Sequence, residues 1–191
     1  MITNSIMSRT IRTFLILLLL NVLFIANTHG EQKIMGAFGI QLGDYFDPSS
    51  AIGTGELTDG TPMYQFSPKI KFRSFNEYYV LITPKTHKIY GIWGIGTAGN
   101  SQKCEKEQAL IMDLLQKKYG IQENEVSFDS STGAKNIDQG NRDVTVKCSG
   151  FADMSFVDMS INIRYYDREL KKLAEKERLE IVGSKVDDSG L

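Results

Sequence analysis

The 191-residue chain predicts an α+β domain: an antiparallel sheet built from hairpins, packed against one main amphipathic helix, with a charged C-terminal helix. Three observations predict it. Aromatic and β-branched runs come in adjacent pairs instead of alternating with helices. The segment 101–119 carries apolar residues at helical spacing between clear end signals. Cys104 on that helix and Cys148 on a later strand both fall on apolar faces, which predicts one helix-to-strand disulfide.

In chain order, Lys33–Gly43 reads as a glycine-punctuated strand with Phe38, Ile40 and Leu42 on one face. Residues 47–62, rich in Pro, Ser, Gly and Thr, read as a loop before a short strand at Met63–Phe66. Lys69–Arg73 alternates Ile70 and Phe72 with Lys69, Lys71 and Arg73, the pattern of a half-buried strand with a basic outer face. Tyr78–Thr83 and Lys88–Ile95 flank the turn Pro84–His87, so a hairpin is expected.

The main helix should start from an N-cap at Asn100 or Ser101 and end at Tyr119. Early Glu105 and Glu107 and late Lys117 and Lys118 suit its dipole, and Gly120 followed by Ile121 suits its C-terminus. Cys104, Gln108, Ile111, Leu115 and Tyr119 form its inner stripe, widened by Leu114. A polar loop should then lead to a strand at Asp143–Cys148 with Val144, Val146 and Cys148 inward. A last strand should turn Met159, Ile161, Ile163 and Tyr165 inward. Asp167 should cap a charged helix ending at Gly183, giving one domain over 31–182 and a disordered tail over 183–191.

The first thirty residues read as an address. Arg9 and Arg12 precede the apolar run Phe14–Ala26, which is shorter than the ~20 residues a membrane-spanning helix needs. Thr28 and Gly30 suit the small positions before a cleavage site, so a signal peptide ending at Gly30 is expected. No Cys follows to accept a lipid anchor. The mature chain is therefore expected to be soluble and exported, periplasmic or secreted, with no stable membrane insertion. In that compartment the two cysteines should pair.

The formal net charge of -1 offers no bulk attraction for nucleic acid. Its distribution is uneven. Residues 69–118 hold nine basic and four acidic residues, whereas the segments on either side are acidic. The basic middle puts Lys69, Lys71, Arg73, Lys85 and Lys88 beside Tyr78, Tyr79, Tyr90 and Trp93, a composition typical of recognition surfaces. A solvated sheet face over core aromatics is the plainer interpretation of the same residues.

Catalytic groups are few. His87 is the one histidine after residue 30, and it sits in a turn. No metal site and no cofactor is expected, since zinc would have to rely on carboxylates. Gly94-Ile-Gly96-Thr-Ala-Gly99 matches a dinucleotide fingerprint, but its helix caps after the last glycine and its strand belongs to a hairpin. These glycines are expected to let the strand bend and exit. The expected function is a non-enzymatic exported binding module (an inhibitor, immunity-type or envelope-assembly protein) for a protein or envelope glycan. The alternative is an envelope hydrolase using two carboxylates.

Overall fold

The computed structural model describes residues 33–150 and 159–187, with side chains as far as Gly183. The expected signal peptide and the end of the expected tail lie outside the described residues. Two short strands, β1 (Gly36–Ala37) and β2 (Ile40–Gln41), form a small hairpin. A meander follows: β3 (Gly53–Glu56), β4 (Pro62–Gln65), β5 (Glu77–Ile82) and β6 (Ile89–Gly99). Helix α1 (Ser101–Tyr119) leads to a second meander, β7 (Val126–Asp129), β8 (Ala134–Gln139), β9 (Arg142–Ser149) and β10 (Met159–Asp167). Helix α2 (Arg168–Asp187) comes last.

The two meanders join as one eight-stranded antiparallel sheet in the order β3-β4-β5-β6-β10-β9-β8-β7. Its strands alternate, so the sheet has two different faces. Val80, Ile92, Ile163, Val146 and Ile137, each at most 3% exposed, turn toward Ile111 and Leu115 of α1. Leu81, Tyr90 and Trp93 turn the other way and pack with Ala174 of α2. Burying each large aliphatic side chain contributes about 1.5–3 kcal/mol, so the α1 face supplies most of the core.

The expected features of α1 are present. Asn100 Oδ1 accepts a hydrogen bond from the Lys103 amide at 2.9 Å, and Gly120 takes the left-handed conformation at φ 68°. The Ile121 amide then reaches the Gln116 carbonyl at 2.9 Å, closing the C-terminal turn. Buried Gln108 is satisfied by the carbonyls of Val146 and Gly133. The disulfide joins Cys104 to Cys148, with their Cα atoms 5.9 Å apart, and so ties α1 to β9.

Several expectations are corrected. Lys33–Gly43 is a hairpin and not one strand, because Phe38 and Gly39 both adopt positive φ (58° and 86°) and reverse the chain in two residues. The 47–62 loop contains β3, which pairs with β4. The polar stretch after α1 contains β7 and β8; their weak apolar alternation reflects a position at the sheet edge, where Phe128 is 63% exposed. Lys69–Arg73 is not a strand, and Ile70 is 65% exposed. The strands that flank it in the chain, β4 and β5, are each already paired on both sides, so the segment cannot join the sheet beside its sequence neighbours. Leu114, expected to widen the inner stripe, is 42% exposed. Helix α2 runs through Gly183 to Asp187; one glycine costs a helix only about 1 kcal/mol. Among the described residues no helix is long and apolar enough to cross a membrane.

Candidate functional site

The segment between β4 and β5 crosses over the sheet beside α1. Three features hold it. The hydroxyl of Tyr78 accepts from the Phe72 amide at 3.1 Å and stands 3.1 and 3.0 Å from the carbonyls of Phe72 and Phe75, either of which can take its proton. Gly94 and Gly96 leave β6 bare where the crossing runs. A β-carbon on Gly94 would meet the rings of Phe38 and Phe75 at 3.0 and 3.1 Å, and one on Gly96 would overlap the Ser74 carbonyl. The Ser74 hydroxyl then donates to Glu107 of α1.

This explains the glycine motif. Gly94 and Gly96 permit close approach of another segment, and Gly99, at φ 78°, makes the turn into the helix cap. No phosphate cradle is needed to account for them.

The crossing segment and α1 form two walls over β10. At one end of the trough lies an apolar cavity of about 200 Å³, with Phe38, Ile70, Phe72, Ile111, Leu114 and Ile163 among its lining residues and Lys71 and Lys118 also on its wall. Phe38 holds its positive φ because its ring packs edge-on against Phe75, Tyr78 and Tyr165, with centroids 5.7, 4.8 and 6.3 Å away. Burial pushes the Tyr165 hydroxyl well above its usual range, so that side chain stays neutral. At the other end a wider recess of about 500 Å³ is lined by Arg73, Ser74, Thr97, Lys103, Lys106 and Glu107, among others.

Lys69, Lys71, Arg73, Lys103, Lys106 and Lys118 are all exposed, and none forms an ion pair with a carboxylate among the described residues. Elsewhere the cations are often neutralised: Arg142 binds Asp167 at 3.0 Å, and Arg168 binds Asp138 and Asp143.

The six residues expected at a binding surface therefore separate. Lys71 and Arg73 line the trough, whereas Lys69 lines neither of its cavities and packs its Cβ against Gly39. Lys85 and Lys88 lie at the far end of the β5–β6 hairpin, about 20 Å away along β5. There Lys85 Nζ pairs with Glu180 at 2.7 Å, and its amide donates to buried Glu177 at 2.6 Å. Trp93 is buried on the α2 face under the Arg164 guanidinium, 4.0 Å from the ring centroid. His87 is half-buried in its turn, at φ 51°, with its ring 5.8 Å from that of Tyr45.

The α1 contribution was missed in the sequence, although a signal exists. Lys103, Leu114 and Lys118 fall on one helical flank, at the border of the buried stripe. The disulfide near the start of α1 fixes this flank over the sheet.

Paired acids occur elsewhere. Asp138 and Asp143 are cross-strand neighbours, and burial raises the Asp143 carboxyl. The Arg168 guanidinium donates to both, so each carboxylate already has a cationic partner. A crevice of about 70 Å³ against α2 holds Asp59 and Glu175, but hydrogen bonds from Thr61 keep the Asp59 carboxyl below its ordinary value. Among the described residues no three metal-ligating side chains converge. Comparison with protein-family models, curated proteins and solved structures returns no match.

Proposed function

We propose that the mature chain is an exported, non-enzymatic binding module that captures a partner in the trough between residues 69–75 and α1. The observation that carries this reading is the pairing of an apolar cavity with five unneutralised cations on the walls of the trough, Lys71, Arg73, Lys103, Lys106 and Lys118. A solvated charged surface has no need of a cavity. A core void has no need of a basic rim. Together they suit recognition, in which an apolar anchor supplies affinity and charge supplies steering.

Export is supported by the basic and apolar start of the chain and by a disulfide that an oxidising compartment would maintain. Mass spectrometry of the protein recovered from producing cells should give a mature N-terminus at Glu31, outside the cytoplasm. Retention of residues 1–30 in a cytoplasmic product would remove the export part of the reading.

Binding is tested with a photo-crosslinking side chain placed at Leu114 and, separately, at exposed Ile52, which lines neither cavity of the trough. Leu114 should yield a reproducible adduct that Ile52 does not. No adduct from either position, or the same adducts from both, would sink this reading.

A further inference from the structure

The trough has two chemically different ends a fixed distance apart, and this limits what can lie in it. We infer that its ligand is an extended acidic peptide segment: one large apolar side chain enters the apolar cavity, and carboxylates about four residues away meet Arg73, Lys103 and Lys106. This deepens, and rests on, the binding-module reading.

Size argues first. The cavity of about 200 Å³ is below the ~300–1,000 Å³ of sites that enclose a whole small molecule, but it accommodates one aromatic or branched side chain. A single anchor in a preformed pocket is how protein segments are usually held. The anchor needs no polar partner, because the floor near Ile163 and Tyr165 is apolar or neutral.

Spacing argues second. The apolar lining on α1 runs from Ile111 to Lys118, and the basic lining from Lys103 to Glu107. Their midpoints are ~14 Å apart at the helical rise per residue. An extended chain covers that distance in about four residues. The span also exceeds one anionic headgroup, which would reach one end and leave the other empty.

Charge argues third. Lys71 and Lys118 flank the anchor cavity, while Arg73, Lys103 and Lys106 line the recess with Glu107 as the one carboxylate among them. The Ser74–Glu107 hydrogen bond bridges the two walls and holds that carboxylate in place, so the peptide backbone has to pass over this bridge between the apolar cavity and the basic recess. A nucleic acid is disfavoured on two counts: the chain is net negative, and the cavity takes a side chain's volume without a flat stacking platform.

The experiment selects a display library of random twelve-residue peptides on the disulfide-bonded mature protein. Enriched sequences should pair Phe, Leu, Ile, Met or Trp with Asp or Glu three to five positions away. A fluorescein-labelled peptide of the selected consensus should lose at least about tenfold in affinity when its anchor becomes Ser, and should bind more weakly as salt rises. Leu114→Asp should abolish that binding, and the double variant K103E/K106E should weaken it at least about tenfold. All three positions are exposed, so melting should be unchanged; Ile70→Asp on the opposite wall is the second test of the cavity.

No enrichment, enrichment without acids or without an anchor, or binding indifferent to all three variants would overturn the inference. If the Leu114 photo-probe captures a glycan or a nucleic acid, the acidic-peptide assignment fails while the binding module stands. If it captures nothing, the binding module itself fails.

Discussion

The carbonyl oxygen of Ser74 lies where a β-carbon on Gly96 would have to sit. The backbone crossing that carries Lys71 and Arg73 thus rests directly on the central strand β6, and the trough wall owes its position to an absent side chain. Gly96→Ala should force the crossing off the sheet and destabilise the protein by about 2 kcal/mol or more, the scale of overpacking against backbone. Denaturant unfolding measures this. An unchanged midpoint would show that the crossing does not lie so close.

Tyr78→Phe isolates the hydroxyl from the ring. The buried ring keeps its contacts with Phe38, Phe66 and Phe75, while the Phe72 amide loses its partner. Leaving that amide unsatisfied should cost about 1–3 kcal/mol. Hydrogen exchange at Phe72 should accelerate more than exchange in β5. Uniform acceleration would mean that the hydroxyl does not organise the loop.

The disulfide closes a loop spanning 44 positions of sequence, for which chain entropy predicts a stabilisation of up to about 4 kcal/mol. Mass spectrometry should show one linked peptide pair and a gain of about two daltons on reduction. Reduction should lower the melting temperature and free the start of α1 first, read as faster exchange at Lys106 and Glu107 than at Leu115. Free thiols in protein isolated from its native compartment would contradict the bridge.

Glu177 and Lys85 can be separated although they meet. Buried Glu177 accepts from the Lys85 amide and from the Thr86 hydroxyl, so it ties α2 to the β5–β6 turn. Glu177→Ala should cost about 1–3 kcal/mol by stranding these donors. Lys85→Ala removes an exposed ion pair with Glu180 and should leave stability almost unchanged, since it preserves the amide. Equal losses would assign the tie to the wrong pair of groups.

Asp129 provides a pH test. Hydrogen bonds from Ser131 and Thr132 hold its carboxyl at about 2, below the ordinary 3.8. The folded value is the depressed one, so its stabilisation of the β7–β8 turn is complete above the unfolded value and is lost as pH falls through about 2. Carboxyl carbon shifts followed by NMR should titrate near 2, and Ser131→Ala should move that midpoint upward. A midpoint at 3.8 in the native protein would remove the turn from the account.

Local patterns explain what could be read in advance. Asn100, the spacing of Cys104 to Tyr119 and Gly120 specify α1 because capping and amphipathicity act within a few turns of chain. Tyr78–Ile82 and Ile89–Ile95 specify a hairpin for the same reason. The pairing of Cys104 with Cys148 followed from two such local facings combined. At the site, Lys69, Lys71 and Arg73 were recognisable as a basic group, whereas grouping them with Lys85, Lys88 and Trp93 used nearness in sequence as a substitute for nearness in space.

By itself, then, the sequence determined the α+β class, the main helix with both its ends, the central hairpin and the inward cysteines, each set by periodicity or by chemistry within reach of its neighbours. Tertiary structure decided the rest. Lys69–Arg73 has a strand's alternation but does not join the sheet beside its sequence neighbours, because β4 and β5 are each already paired on both sides. Trp93 went to the α2 face, and Lys103, Lys106, Leu114 and Lys118 came to the trough, through packing between segments distant in sequence. Competition for a sheet edge and closure of a groove are long-range events, and no local period encodes their outcome.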